Sequence, residues 1–109
     1  MTLVEMKKIL DLTGLPVTYS HWTATTNNPV PAPPYICYLV DGNENLMADN
    51  KVYHKISDVN IELYTTKKDL SVEALLEKAL DDHEIPYDSF EAFIDSEKLF
   101  LKTYEVRLI

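Results

Sequence analysis

The sequence predicts an α+β fold, a two-layer sandwich with two helices on one face of a mostly antiparallel sheet. Two stretches, 2–13 and 71–83, repeat apolar residues at helical spacing and are each followed by a proline. The other stretches are rich in β-branched and aromatic residues and are separated by turn signals. A chain of 109 residues is long enough for one hydrophobic core, so we expect a single domain over residues 1–109.

The first helix is predicted over residues 2–13. Thr2 followed by Glu5 is typical of a capping box, in which side chains satisfy free amides of the first turn. Its apolar stripe consists of Leu3, Met6, Ile9 and Leu10, with Leu12 near the edge. Gly14 is expected to end the helix in the left-handed conformation, and Pro16 prevents its continuation.

The second helix is predicted over residues 71–83 and is ended by Pro86. We expect its buried stripe to consist of Val72, Leu75, Leu76, Ala79 and Leu80. We expect its opposite side to face water with Glu73, Glu77, Lys78 and Asp81.

Strands are predicted at Val17–Trp22, Tyr35–Val40, Tyr87–Ile94 and Leu99–Ile109, with a further strand ending at Thr65. The nearly continuous apolar run Tyr35–Val40 indicates a central strand covered on both faces. In the strand that ends at Thr65, Val59, Ile61 and Leu63 alternate with polar residues, and we expect a bulge or bend near Ser57–Asp58.

Two long connections separate these strands. Residues 23–34 contain four of the six prolines and are predicted to form an exposed, extended arm. Asp41–Gly42 is a turn signal, and we interpret residues 41–51 as a polar hairpin loop in which 43–48 could form a short strand returning through Asp49–Asn50. Long ordered connections in so small a domain favour a functional role.

The charge balance argues against several classes of partner. Ten basic and 18 acidic residues give a formal net charge of -8, and the basic residues are spread along the chain. Binding to nucleic acid or to anionic lipid requires concentrated lysine and arginine. We therefore expect no specific nucleic-acid binding and no membrane association. The single cysteine and an N-terminus without an apolar signal region predict synthesis and folding in the cytosol.

The sequence contains no recognisable catalytic or metal-binding pattern. His21, His54, His83 and Cys37 lie on four different predicted elements, without metal-ligand spacing. The loop that starts at Asp41 resembles the opening of a calcium loop, but Leu46 and Val52 occupy the positions that require glycine and glutamate. Cys37 lies in the most apolar strand, where a thiol stays protonated. We expect no enzymatic activity, no metal and no cofactor.

Aromatic residues are frequent on elements that we expect to be partly exposed. They are Tyr19, Trp22, Tyr35, Tyr53, Tyr64 and Tyr87. Tyrosine and tryptophan are enriched at protein–protein contacts, but they also fill ordinary strands, and both interpretations remain open. Together with the two long connections, they favour a domain that assembles with other proteins.

Four stretches occur in the same order in one group of proteins. They are Pro34–Leu39, Ala48–Tyr53, Val59–Thr65, and Glu97–Leu99 leading into Tyr104–Val106. With them the chain resembles the small tail-completion proteins of phages and prophages of low-GC Gram-positive bacteria. These proteins are similar to the tail terminators of long-tailed bacteriophages. The resemblance covers nearly the whole chain and rests on hydrophobic patterns and loop sequences.

The resemblance implies a structural virion protein without an active site. Terminators of this kind are α+β domains that close into a six-fold ring on the tail tube, stop its growth and join it to the head connector. The implied partners are further copies of this chain, the major tail tube protein and the head–tail connector proteins. The implied location is the head-proximal end of the tail, after assembly in the host cytoplasm. Six copies would carry a charge of about -48, which suits a lumen through which DNA passes without sticking.

We expect the 41–51 loop to face the tube or lumen and the arm to reach a neighbouring subunit. The candidate contact residues in these segments and immediately before the arm are Trp22, Asn28, Pro31, Pro33, Asp41, Asn43, Glu44, Leu46 and Met47. Two alternatives remain open. One is a head-closure (stopper) protein of the neck, and the other is a small acidic phage module that binds a host protein.

Overall fold

The computed structural model describes residues 1–24, 29–48 and 51–108, with the backbone alone described over 42–48 and 51–57. The described residues form seven elements: α1 (Leu3–Asp11), β1 (Val17–Tyr19), β2 (Tyr35–Ala48), β3 (Lys51–Thr65), α2 (Leu70–Asp82), β4 (Tyr87–Ile94) and β5 (Leu99–Leu108). The candidate residue Asn28 and the expected Asp49–Asn50 turn lie outside the described residues.

The five strands form one sheet in the order β1-β2-β3-β5-β4. Strands β1 and β2 are parallel, and the other three neighbouring pairs are antiparallel. Two helices with a mostly antiparallel sheet make an α+β fold, which confirms the predicted class.

Helix α1 begins where its local sequence predicts and ends at Asp11, two residues before the predicted end. The Thr2 hydroxyl accepts a hydrogen bond from the Glu5 amide at 3.1 Å, which is the first half of the predicted capping box. The Glu5 carboxylate accepts from the Thr2 hydroxyl at 3.3 Å, whereas in a full capping box it would accept from the Thr2 amide. Gly14 adopts a φ of +79°, a left-handed conformation that strains any residue with a Cβ. These local contacts explain why the helix could be located from sequence.

A single core lies between the helices and one side of the sheet. The helices contribute Met6, Ile9, Leu10, Leu76, Ala79 and Leu80, and the sheet contributes Ile36, Tyr38, Val59, Ile61, Leu63, Tyr104, Val106 and Leu108. These sheet positions alternate along each strand and lie opposite one another in the register, so they share one face, which we call the core face. The arrangement is compatible with two layers. We call the other side of the sheet the open face.

The burial of α2 differs from the prediction at two positions. Leu76, Ala79 and Leu80 are buried as expected, but Leu75 is 46% exposed and Glu73, expected to face water, is 6% exposed. The row at 73, 76 and 80 therefore faces the sheet, and Leu75 is turned away from it. A lysine on β5 provides the partner that allows Glu73 to be buried.

Residues 41–48 and 51–56 are strand, so the interpretation of 41–51 as a polar loop is wrong for the described part. The short strand that we considered over 43–48 is confirmed, as the end of a longer β2. Strands β2 and β3 are 14 and 15 residues long. Strand β5 pairs with β3 only from Ser57 to Thr65. Beyond that point Glu44–Ala48 of β2 pairs with residues 51–56 of β3 in a two-stranded extension, which we call the ribbon. Five residues of strand extend about 17 Å.

The turn predicted at Asp41–Gly42 is a bulge instead. Val40 pairs with Val59 and Gly42 with Asp58, so Asp41 is an extra residue without a partner in β3. The irregularity expected near Ser57–Asp58 is confirmed in position, although the extra residue belongs to β2. Aspartate and glycine favour both turns and bulges, which is why their local sequence did not distinguish the two.

Strand β1 is shorter than predicted and ends at Tyr19 rather than Trp22. Ser20 has a φ of 68°, which turns the chain out of the extended conformation. Its amide still donates to the Tyr38 carbonyl at 2.8 Å. The chain therefore leaves the sheet immediately before Trp22.

Candidate functional site

The ribbon and its base carry five of the nine predicted contact residues. Glu44, Leu46 and Met47 lie along the β2 strand of the ribbon, and Asn43 and the exposed Asp41 lie at its base. Among the described strands, the ribbon residues pair only with each other. The structure thus brings these five candidate residues together on the projecting element and at its base.

A groove of about 460 Å³ opens at the base of the ribbon, and we call it the acidic groove. Its lining includes Asp41, Asp58, Asn60, Asp88, Glu105 and Arg107. Sheet register brings these side chains together, because Asp58 lies opposite Arg107 and Asn60 lies opposite Glu105.

Carboxylates dominate the charge of the acidic groove. The Arg107 Nε donates to Asp58 Oδ1 at 3.0 Å. Asp41, Asp88 and Glu105 add three further carboxylates to the lining. With four carboxylates and one guanidinium, the groove repels anions such as phosphate.

The described residues contain no cluster of three or more histidine, cysteine or acidic side chains that could hold a metal ion. His21 contacts the Ser20 hydroxyl at 3.2 Å, and His83 contacts the Ala79 carbonyl at 2.8 Å. Within the same part of the chain, neither helix has the length and apolar character needed to cross a bilayer.

Trp22 lies against the domain's own sheet. Its ring meets Tyr35 edge to face at 5.8 Å, and Tyr35 contacts Tyr64 at 5.1 Å. The indole Nε1 is buried and has no hydrogen-bond partner among the described residues. Pro31 and Pro33, at the other end of the arm, are half-buried. Trp22, immediately before the arm, therefore helps to cover the open face of β2.

A half-buried polar cluster lies beneath this aromatic group. Cys37 is opposite Glu62 in the register, and the Tyr64 hydroxyl donates to Glu62 at 3.2 Å. Burial, together with the nearby Glu62, raises the pKa of the Cys37 thiol to about 11. Burial also raises the pKa of Glu62, which the hydrogen bond from Tyr64 partly offsets. The thiol therefore stays protonated at neutral pH and is a poor nucleophile, as predicted from its apolar strand.

An ion-pair network around Glu73 was missed in the sequence. The Glu73 carboxylate accepts a hydrogen bond from Lys102 on β5 at 2.8 Å and pairs with Lys68 at 2.9 Å. Lys68 also pairs with Glu91 on β4. Burial alone would raise the pKa of Glu73, but the two lysines outweigh this effect and hold it below its usual value. The network joins α2 to the outer two strands.

Glu77 extends this network by one turn of α2. It accepts hydrogen bonds from the hydroxyls of Tyr104 at 3.0 Å and Tyr87 at 3.3 Å. Burial, reinforced by Glu77, raises the pKa of the fully buried Tyr104. One sequence signal pointed to such a network: Lys102 interrupts the apolar alternation of β5, and a cation at a core position requires an acidic partner.

Comparison of the sequence with models of known protein families and with curated proteins found no match.

Proposed function

We propose that this protein is a tail terminator of a long-tailed bacteriophage, a structural subunit that forms a ring on the end of the tail tube. The observation that carries the proposal is the ribbon, which projects from the five-stranded sheet within the segment that its length and composition led us to expect at the tube or lumen.

The ribbon supports an assembly role on physical grounds. A two-stranded hairpin without a third strand or a packed helix is marginally stable in water. Residues 44–48 and 51–56 have no third strand beside them among the described elements. A neighbouring subunit or the rim of the tube would provide the missing contacts.

The acidic groove supports the proposal in a second way. Its carboxylates lie on the open face, next to the base of the ribbon. If the ribbon points to the lumen, these carboxylates lie near the path of the DNA. Like charge keeps the phosphate backbone from adhering to the ring wall.

The proposed partners are other copies of the chain, the tail tube protein and the head–tail connector. The proposed location is the head-proximal end of the virion tail. No catalytic chemistry is needed for this role.

Electron microscopy of lysates from a phage lacking the gene tests the proposal. Overlong, irregular tubes beside DNA-filled heads are expected. Free tails of normal length beside heads that have lost their DNA would instead identify a head-closure protein. Normal virions would contradict both structural roles.

A variant with a shortened ribbon tests whether the ribbon is needed for tail termination. Removing Asn43–Leu46 together with His54–Ser57 deletes residues that pair with each other in the ribbon and at its base. Because four residues are removed from each strand, every remaining residue keeps its face of the sheet. We expect a folded domain by circular dichroism that fails to restore tail length. Leu12→Lys on α1, a change at a side chain that is already exposed, is the control and should restore it.

A further inference from the structure

We propose that copies of this chain join head to tail by strand pairing, with the ribbon of one copy adding to the free edge of β4 in the next. The inference rests on the proposed function, which requires the copies to form a ring, and it names the contact that closes that ring.

Strand β4 presents a long, regular sheet edge. It pairs with β5 through all eight residues without a register shift, and no described strand lies on its other side. Edge strands are normally protected by charged side chains, above all lysine, or by proline, a bulge or short length. Strand β4 has no lysine, proline or bulge, and its two carboxylates, Asp88 and Glu91, oppose pairing with a second β4 but not with a basic strand. Strand β1 at the opposite edge is only three residues long.

The side chains of β4 also favour a contact. Phe90 is 54% exposed and Phe93 is 48% exposed, and the strand alternation places them on opposite faces of the sheet. A strand added at this edge would therefore cover apolar surface on both faces.

The ribbon presents the complementary edge. Residues 51–55 of β3 pair with β2 on one side and have no described strand on the other. Their sequence contains two lysines and a histidine and no carboxylate. Strand β4 contains no basic residue and two carboxylates, Asp88 and Glu91, of which Glu91 also pairs with Lys68. Opposite charge on two free edges favours their pairing over pairing of either edge with itself.

The two edges belong to different parts of the molecule, so the contact is heterologous. Each copy offers its ribbon to one neighbour and its β4 to the other, which is the connectivity of a closed ring or an open filament. Five residues of ribbon edge match part of the eight-residue β4 edge, and the added strand removes the instability of the isolated ribbon.

Cross-linking with a short bismaleimide tests the contact. Ser89→Cys marks β4 and His54→Cys marks the ribbon, while the buried native Cys37 stays unreactive. A dimer band is expected in the mixture of the two variants and not with either variant alone. A band with Ser89→Cys alone would show β4-to-β4 pairing and overturn the proposal. Leu12→Cys mixed with His54→Cys is the matched control and should remain unlinked.

Sedimentation of the unmodified chain and of Phe90→Lys gives an independent test. The unmodified chain is expected to associate as its concentration approaches about 1 mM, and Phe90→Lys to weaken association by about tenfold or more. Leu12→Lys, at a side chain that is 68% exposed on α1, should have no effect. A monomer throughout, or equal effects of the two substitutions, would overturn the contact.

The two proposals fail separately. Overlong tubes in the gene-deletion lysate without a mixed cross-link would support the terminator role and contradict this contact. A mixed cross-link together with tubes of normal length would support the contact and contradict the terminator role.

Discussion

Replacing Lys102 by methionine should strongly destabilise the domain. Lys102 lies on the core face of β5 and donates to the buried Glu73 carboxylate at 2.8 Å. Methionine preserves the aliphatic stem and removes the charge. After the substitution, Glu73 keeps only Lys68, whose side chain is 43% exposed.

The expected magnitude follows from this burial. Breaking a fully buried ion pair destabilises a protein by about 3–5 kcal/mol, because the remaining charge is left uncompensated. Since Lys68 remains, we expect a loss of about 2–3 kcal/mol in the free energy of unfolding. For a domain of this size that corresponds to a decrease in Tm of about 10–20 °C. Urea denaturation at pH 7 measures it.

The stability that Glu73 contributes depends on pH with a definite sign. The folded state holds the pKa of Glu73 below its usual value, so the stabilisation is present above the unfolded pKa, about 4.3, and is lost as the pH falls through the folded pKa. The difference between the unmodified chain and Lys102→Met should therefore be largest near neutral pH and shrink below about pH 4.

Two further variants test whether the uncompensated charge of Glu73 causes the loss of stability. Combining Lys102→Met with Glu73→Leu removes both charges and should restore most of the lost stability, because apolar residues can replace a buried ion pair. Lys78→Met removes an exposed partner of Asp82 and should cause no measurable change. A Lys102→Met chain as stable as the unmodified one, or a double variant no better than the single one, would refute the reasoning.

Three other outcomes follow from the fold. Leu80→Ala should lower the free energy of unfolding by about 3 kcal/mol in urea denaturation, and Leu75→Ala, on the exposed side of α2, by about 0.5–1 kcal/mol. Equal effects of the two substitutions would contradict the observed burial. A thiol reagent at pH 8 should label Cys37 only as the domain unfolds, because the thiol is buried and its pKa is about 11; fast labelling of the native protein would be inconsistent with that environment. Gly14→Ala should lower the free energy of unfolding by about 1 kcal/mol through backbone strain at φ +79°. No steric clash contributes, because no atom lies within 4 Å of the added Cβ. An unchanged urea midpoint would contradict the left-handed conformation of Gly14.

Helix α1 and the alternation of β3 were predictable because their signals are local. The hydroxyl of Thr2 and the amide of Glu5 are three residues apart, and Gly14 terminates the helix through its own backbone angles. Alternation of Val59, Ile61 and Leu63 follows from the period of a strand, whichever strands lie beside it.

The charged network and the ribbon could not be predicted in the same way. Glu73 faces the sheet because Lys102, 29 positions later, lies beneath it. Asp41 and Gly42 form a bulge rather than a turn because β3 continues to pair with β2 beyond them. In both places the local sequence permits two conformations, and a distant residue selects one of them.

By itself, the sequence determined the α+β class, the positions of the helices and most strands, and the acidic character of the chain. Only the tertiary structure decided the strand order, the projection of the ribbon beyond β5, the free edge of β4 and the burial of Glu73. The physical reason is that periodicity and caps act within a few residues, whereas pairing and burial depend on which distant residues meet.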